Sequence, residues 1–231
     1  SATMLYAMAI TIANVVLPQM RGALSATPDQ VAWVITFNLV ATAVVTPISG
    51  WLSNRFGRRR IMLIGTFGFT TTSVLCGLAD SLEVLVLYRI LQGAFGAPLV
   101  PISQAIILDT FPREKHALAT ALWGVGVVTG PINGPTFGGF IAEEYSWRWV
   151  FFMIVPFGVM TFVSIWAFIK KRPNRPPGPA MDWLGFLALA AALAAFQFMF
   201  DRGERNDWFD SPETIIECTI GFLAMYIFLV H

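Results

Sequence analysis

Gly50-Trp-Leu-Ser-Asn-Arg-Phe-Gly-Arg-Arg-Arg60 lies between two long apolar stretches. Four arginines (Arg55, Arg58, Arg59 and Arg60) fall within six residues, and no acid stands among them. The chain around them is 56% hydrophobic and only 13% charged. A compact basic cluster in such surroundings anchors a short loop on the cytoplasmic side of a membrane, and it makes the neighbouring stretches readable as spans.

Composition points the same way. The mean hydropathy is +0.66, and 8 Trp and 20 Phe occur among 231 residues. A water-soluble domain needs far more charge to cover its surface. The 15 basic and 14 acidic residues nearly cancel, and no nucleic-acid partner is expected. Cys76 and Cys218 fall in apolar runs and read as small buried hydrophobes. No Cys and His set has metal-ligand spacing, and neither His116 nor His231 sits where a catalytic centre would form. There is no nucleotide-binding loop and no hydrolytic triad, so transport driven by an ion gradient is the default for a many-helix chain of this kind. The sequence opens and closes in apolar residues, without a basic leader region or cleavage site. It is expected to be part of a longer protein.

Windows long enough to cross about 30 Å of hydrocarbon fall at 2–20, 30–52, 61–79, 83–108, 116–141, 148–170, 182–200 and 212–231, the first and last incomplete or marginal. Helices are expected, because a chain in lipid must satisfy its own backbone hydrogen bonds. The connections alternate in charge. The 53–60 loop is purely basic, and the 170–182 loop carries Lys170, Lys171, Arg172 and Arg175 against Asp182 alone. Opposite them lie Asp80 with Glu83, Glu143 with Glu144, and a 201–213 loop with five acids against Arg202 and Arg205. Basic loops inside and acidic loops outside put the N-terminus in the cytoplasm. The prolines between 173 and 181 stop the sixth span and stiffen a cytoplasmic linker. The expected organisation is therefore six helices over 1–172, the linker at 173–181, and an extra transmembrane pair over 182–231 whose second helix is incomplete.

Arg89 is the basic residue well inside a span, in Tyr88-Arg-Ile-Leu-Gln-Gly93. A guanidinium at that depth must face protein or a water-filled cavity. It either pairs with helix carbonyls to lock the bundle or lies on a substrate or proton path. Gln92, one turn on, shares nearly its face. Asn14, Asn38, Gln104 and Asn133 are further polar residues placed to line a cavity. The fifth span carries Gly126, Gly130, Gly134 and Gly138 four apart, with Gly139, Pro131 and Pro135 among them. Such a stripe lets another helix approach closely, and the prolines bend or loosen its own helix.

These segments resemble the motifs of one family. The Gly50 to Arg59 stretch resembles the loop between helices two and three of the major facilitator superfamily, and Arg89-Ile-Leu-Gln-Gly93 resembles its helix-four motif. Gly126-Val-Val-Thr-Gly-Pro-Ile-Asn-Gly-Pro-Thr-Phe-Gly-Gly139 is similar to the helix-five signature of its drug:proton antiporters. Thr11-Ile-Ala-Asn-Val-Val-Leu-Pro18 is similar to the first-helix motif of the branch with fourteen helices. Pro98-Leu-Val-Pro-Ile-Ser-Gln104, Asp201-Arg-Gly-Glu204 and Asp207-Trp-Phe209 resemble the EmrB-type multidrug exporters of Gram-negative bacteria.

The resemblance implies an all-α polytopic membrane protein: the N-terminal six-helix half of a facilitator-fold transporter plus one or two extra helices, with the C-terminal half absent. It implies proton-driven export of hydrophobic or amphipathic drugs across the bacterial inner membrane by alternating access. It also implies a periplasmic membrane-fusion adaptor and an outer-membrane channel as partners, no cofactor, and the proton gradient as energy source. Arg89 would take part in proton coupling. Gly50, Asn54, Arg55, Gly57, Arg58 and Arg59 would form a conformational gate, the two glycines giving a tight turn and Asp109 serving as acidic partner. The glycine and proline face of the fifth helix would pack against the other half. Two positions depart from the family pattern: Ala9 and Asn54 stand where carboxylates are common. A facilitator-fold importer of a small polar solute and a non-transporting scaffold or sensor remain as alternatives.

Overall fold

The computed structural model describes residues 2–169 and 180–231. Among them no strand occurs. Ten α-helices follow in order: α1 (Ala2–Val15), α2 (Leu17–Ala23), α3 (Pro28–Phe56), α4 (Arg58–Gly77), α5 (Leu82–Gly96), α6 (Leu99–Thr110), α7 (His116–Glu144), α8 (Trp147–Phe168), α9 (Trp183–Arg202) and α10 (Pro212–Val230). Two pairs are single rods broken by proline. Pro18 stands in the first turn of α2 and lacks the N–H that would continue α1, so the two axes meet at 57°. Pro98 separates α5 from α6 in the same manner.

Helix starts are written in local chemistry. Thr27 and Gln30 form a reciprocal capping box at α3, and Ser81, Ser146 and Ser211 accept backbone N–H bonds at α5, α8 and α10. Asp182 caps α9 by accepting from Gly185 N at 2.9 Å. That bond holds its carboxyl below the ordinary carboxylate range.

Counting each broken pair as one rod, eight rods occupy the eight expected windows. Five are long and apolar enough to cross a membrane, six if the bent α1–α2 pair is one span. α4 and α7 fall short in apolarity rather than length. The first opens on Arg58, Arg59 and Arg60 and carries Thr70-Thr-Thr-Ser73, while the second is rich in glycine and proline. The protein is thus an all-α, multi-pass membrane bundle. The 173–181 linker falls outside the described residues except for Ala180 and Met181.

The arginine-rich loop is shorter than its sequence suggests. α3 runs on to Phe56 and α4 begins at Arg58, leaving Gly57 alone as the connection. Gly57 takes φ +89°, a left-handed conformation that a side chain would strain. Gly50 makes no turn, because it lies inside α3. Arginine is a good helix former, so a basic run continues a helix as readily as it ends one.

The glycine stripe of α7 also has a different partner from the one expected. It packs against α1 of the same bundle. A Cβ on Gly130 would stand 2.8 Å from Met4 O, one on Gly134 2.5 Å from Thr11 Oγ1, and one on Gly138 2.6 Å from Ile12 Cγ1. Gly126 meets nothing within 4 Å, and Gly139 reaches only Val15 at 3.7 Å. A spacing of four overshoots a helical turn by about 40°, so a stripe centred on Gly134 has drifted off the seam by Gly126. α7 itself continues unbroken through Pro131 and Pro135.

α1 is the central rod, with Leu5, Met8, Ile12 and Thr3 buried and α6, α7 and α8 packed on it. α4 packs on α5 and α8, and α3 on α5. The last two helices hang from one side. α9 packs on α3 through Phe37 and Phe198, whose ring centres are 5.6 Å apart, and α10 packs on α9.

Gly134→Ala in the full-length protein is expected to lower stability by about 1–3 kcal/mol, because a methyl group would drive α1 and α7 apart. Gly126→Ala is expected to be neutral or to stabilise by about 0.5 kcal/mol. Thermal unfolding in detergent separates the two; equal melting temperatures would mean that this seam is not closed.

Candidate functional site

The site begins with Arg89. It leaves only 2% of its surface exposed, although it carries a charge inside a span. Its Nη1 donates to Gln92 Oε1 at 2.7 Å. Gln92 Nε2 donates in turn to Ser73 Oγ at 2.7 Å, and Ser73 Oγ donates to Phe69 O at 2.7 Å. One face of the guanidinium lies over Phe151, 4.7 Å from the ring centre. Asn38 Nδ2 donates to Arg89 O at 2.8 Å and ties α3 to the same turn. α5 and α8 thus touch the side chain directly, α4 supports it through Gln92, and α3 holds its backbone. Nε and Nη2 remain buried without a hydrogen-bond partner.

A polar ladder continues from this point toward α1. Tyr6 OH donates to Thr42 Oγ1 at 3.0 Å, and Thr42 Oγ1 lies 2.9 Å from Asn38 O and 3.2 Å from Gly93 O. Gly93 permits the approach, since a Cβ there would run into Asn38 O. Among the polar residues expected to line a cavity, Asn38, Gln92 and Arg89 come together. Asn14 is exposed near the end of α1, and Gln104 is half-buried on α6. Asn133 spends its amide on Thr129 O of its own helix, at 2.8 Å. Sequence reasoning missed Ser73 and Phe151. The Thr70 to Ser73 run, polar within an apolar span, was a signal for the first; nothing distinguished the second from other phenylalanines.

A second cluster lies where α4 begins. Arg58 Nη1 pairs with Asp109 Oδ2 and also donates to Ala105 O at 3.3 Å. Arg59 Nη2 donates to Trp166 O at 2.8 Å, at the end of α8. Two adjacent arginines thus fasten α4 to the last turns of α6 and α8, where the helix dipoles favour cations. Arg55 lies 5.5 Å over the Trp51 ring. Asn54 is exposed. Deeper on this side, Trp123 Nε1 donates to Thr3 Oγ1 at 3.0 Å and to Ser103 Oγ at 3.2 Å, closing a polar triangle between α7, α1 and α6.

At the opposite face, Arg148 donates to Gly77 O at 3.1 Å. Asp201 accepts from Thr36 Oγ1. Arg205 pairs with Asp29 at 2.9 Å, and Arg202 with Glu213 at 2.6 Å. Asp201 and Arg205 thus pin the C-terminal end of α9 to α3, Arg202 ties it to α10, and Arg148 ties α8 to α4. Among the described residues, no group of His, Cys, Asp and Glu is arranged to hold a metal.

Comparison with known proteins is consistent over the whole length. The family model described as Major Facilitator Superfamily matches residues 1–231. The multidrug export protein EmrB of Haemophilus influenzae is 39% identical over 224 residues, 97% of this chain and 44% of that protein. The fatty acid resistance protein FarB of Neisseria gonorrhoeae is 39% identical over 215 residues, 93% of this chain and 42% of that one. A crystal structure of a peptide transporter, POT, superposes with a TM-score of 0.69 at 16% identity, covering 99% of this chain and 51% of that one; at such identity the likeness is one of fold alone. The chain spans about half the length of the curated relatives it matches.

Gln92→Leu is expected to destabilise the protein by about 1.5–3 kcal/mol, because it strands one more edge of a buried cation. Phe151→Leu, which removes only the ring face, should cost about 1 kcal/mol. Denaturation of the two variants in detergent gives the order; a larger loss at Phe151 would show that packing rather than hydrogen bonding holds Arg89.

Proposed function

Since the chain belongs to the major facilitator superfamily, we propose that it forms the first half, with the extra helix pair, of an exporter of hydrophobic or amphipathic toxic compounds. The exporter sits in the bacterial inner membrane with its N-terminus in the cytoplasm, and it exchanges its cargo for protons by alternating access. It is a transporter rather than an enzyme. Relatives named for multidrug export and for fatty acid resistance support this substrate class, since both kinds of cargo are apolar bodies that partition into lipid. The family likeness adds a periplasmic membrane-fusion adaptor and an outer-membrane channel, which together with this transporter make a three-part pump.

Arg89 is the observation that carries the mechanism. A fixed positive charge at full burial favours the ionised form of any carboxylate that nears it and disfavours the neutral one. Its field therefore differs in effect between the two ends of a proton's path, which is what coupling requires. Gln92 with Ser73 behind it and the Phe151 ring hold the charge still, so the movement belongs to the bundle and not to the side chain. The arginine pair Arg58 and Arg59 keeps α4, α6 and α8 together at the cytoplasmic side, and the half rocks as one body. Because the glycine seam is used up between α1 and α7, sealing against the other half falls to the faces that the seam leaves open. α7 presents Leu118, Leu122, Val125 and Ile132 along such a face.

Full-length protein reconstituted in vesicles with an imposed pH gradient is expected to move a hydrophobic cationic dye and a long-chain fatty acid outward. Arg89→Ala should lower proton-coupled movement about tenfold or more, equivalent to ~1.4 kcal/mol or above in the rate-limiting barrier. Undiminished exchange in that variant would remove Arg89 from the mechanism.

A further inference from the structure

α10 meets α9 along one line of residues. Thr214, Gly221 and Ala224 are buried on it, and Gly221 lies so close to α9 that a Cβ would stand 2.7 Å from the Phe196 ring. Glu217 falls between Thr214 and Gly221, at the spacing of three and four that keeps residues on one helix face. It is half-buried within a helix that is otherwise apolar enough to cross a membrane. Its Oε2 is closed off without a hydrogen-bond partner, and so is the Oγ1 of Thr214, a residue that is 0% exposed. Oε1 of Glu217 is not closed off, and it is the atom at which a proton from water can arrive.

The charges around Glu217 are set against a second anion. On its own helix Glu213, one turn nearer the loop, accepts from Arg202 Nη1 at 2.6 Å and from Asn206 Nδ2 at 3.2 Å. Arg202 is the cation that α9 brings to this end, and Glu213 already holds it. The other charged residue of α9, Asp201, is turned to Thr36 of α3. In the connection between the two helices, Arg205 is spent on Asp29 and Asp201, while Glu204, Asp207 and Asp210 add only negative charge. Ionised, Glu217 would set a like charge one turn from Glu213 and leave a buried anionic oxygen unpaired, and both cost free energy. Neutral, it needs no counter-ion and gains a hydroxyl donor. Thr214 Oγ1 is an idle acceptor one turn away on the same face.

We propose that Glu217 is a proton-binding site of the α9–α10 pair, which holds its proton at neutral pH and fixes the seam as a neutral acid. The proton comes from water at the loop end of the pair, and one O–H bond is all that forms. Its loss leaves two carboxylates, one turn apart, to compete for Arg202. It also leaves an unpaired charge in a seam closed by Thr214, Gly221 and Ala224, so that α9 and α10 part at that end. The inference rests on this helix pair and not on the transport reading. It is read by spectroscopy and melting instead of dye movement, so either can fail alone.

Infrared spectra of the full-length protein at neutral and alkaline pH test it. The neutral spectrum is expected to contain a protonated-carboxyl band that alkali removes and that Glu217→Gln lacks. Glu213→Gln frees Arg202 to pair with Glu217 and should weaken that band at neutral pH, an effect that a purely structural glutamate would not give. Glu217→Gln has the shape of the neutral acid, so its melting temperature at neutral pH is expected to equal or exceed that of the wild-type protein. Neutral-pH carboxyl bands that coincide in the wild-type protein and Glu217→Gln overturn the proposal. So does a band that Glu213→Gln leaves unchanged. A Glu217→Gln variant that melts lower than wild type at neutral pH, or fails to fold, overturns it as well.

Discussion

A guanidinium removed from water has to be held from several sides, and much of the bundle is arranged around that need. Arg89 takes a hydrogen bond partner from its own helix, a supporting serine from α4, a ring from α8 and a backbone tie from α3. Each of those helices must approach at a fixed height and rotation for the contact to exist. A hydrophobic interface can slide by a fraction of a turn at modest cost, whereas a buried charge with two idle nitrogens cannot. The charge thus specifies register, and the apolar packing of Leu85, Phe69, Cys76 and Ile154 fills in around it.

The second device is removal of side chains where backbones must come close. Lipid offers no hydrophobic force to press helices together, so association depends on contact area and on polar groups. Gly93 lets α5 reach the carbonyl of Asn38, and Gly130, Gly134 and Gly138 let α7 lie on α1. The two devices are complementary. One half of the bundle is registered by a polar cluster and the other by a smooth seam, and Tyr6 with Thr42 joins them.

Much of this was legible in the residues. The eight rods follow from hydropathy because lipid tolerates little else, and Arg89 stood out because a charge in a span always requires explanation. The Arg58 and Asp109 contact follows from opposite charges at helix ends on the same side. Other features were hidden for physical reasons. A row of glycines reports that something comes close but not what, so α1 was not identifiable as the partner of α7. The one-residue connection at Gly57 was obscured because arginines serve equally well inside a helix and beyond it. Phe151 is one of 20 phenylalanines, and only the fold selects it. The break at Pro18 was readable from proline chemistry alone, yet hydropathy masks it because both segments are apolar.

The seam between α1 and α7 joins two helices far apart in sequence, with Thr3 and Trp123, 120 residues apart, meeting at one end of it. A ribosome delivers the chain from its N-terminus, so α1 enters the bilayer roughly 6–24 s before its partner at ~5–20 residues per second. During that interval the α1 face that Gly130, Gly134 and Gly138 will cover must be stored against lipid or insertion machinery. α1 suits this wait: the stretch from Ala2 to Val15 holds no charged residue, and Thr11 satisfies its own hydroxyl on the carbonyls of Ala7 and Met8. The timetable of synthesis accordingly sets a second requirement on this helix, stability in the membrane before α7 arrives, in addition to its later role as the rod on which the bundle is built.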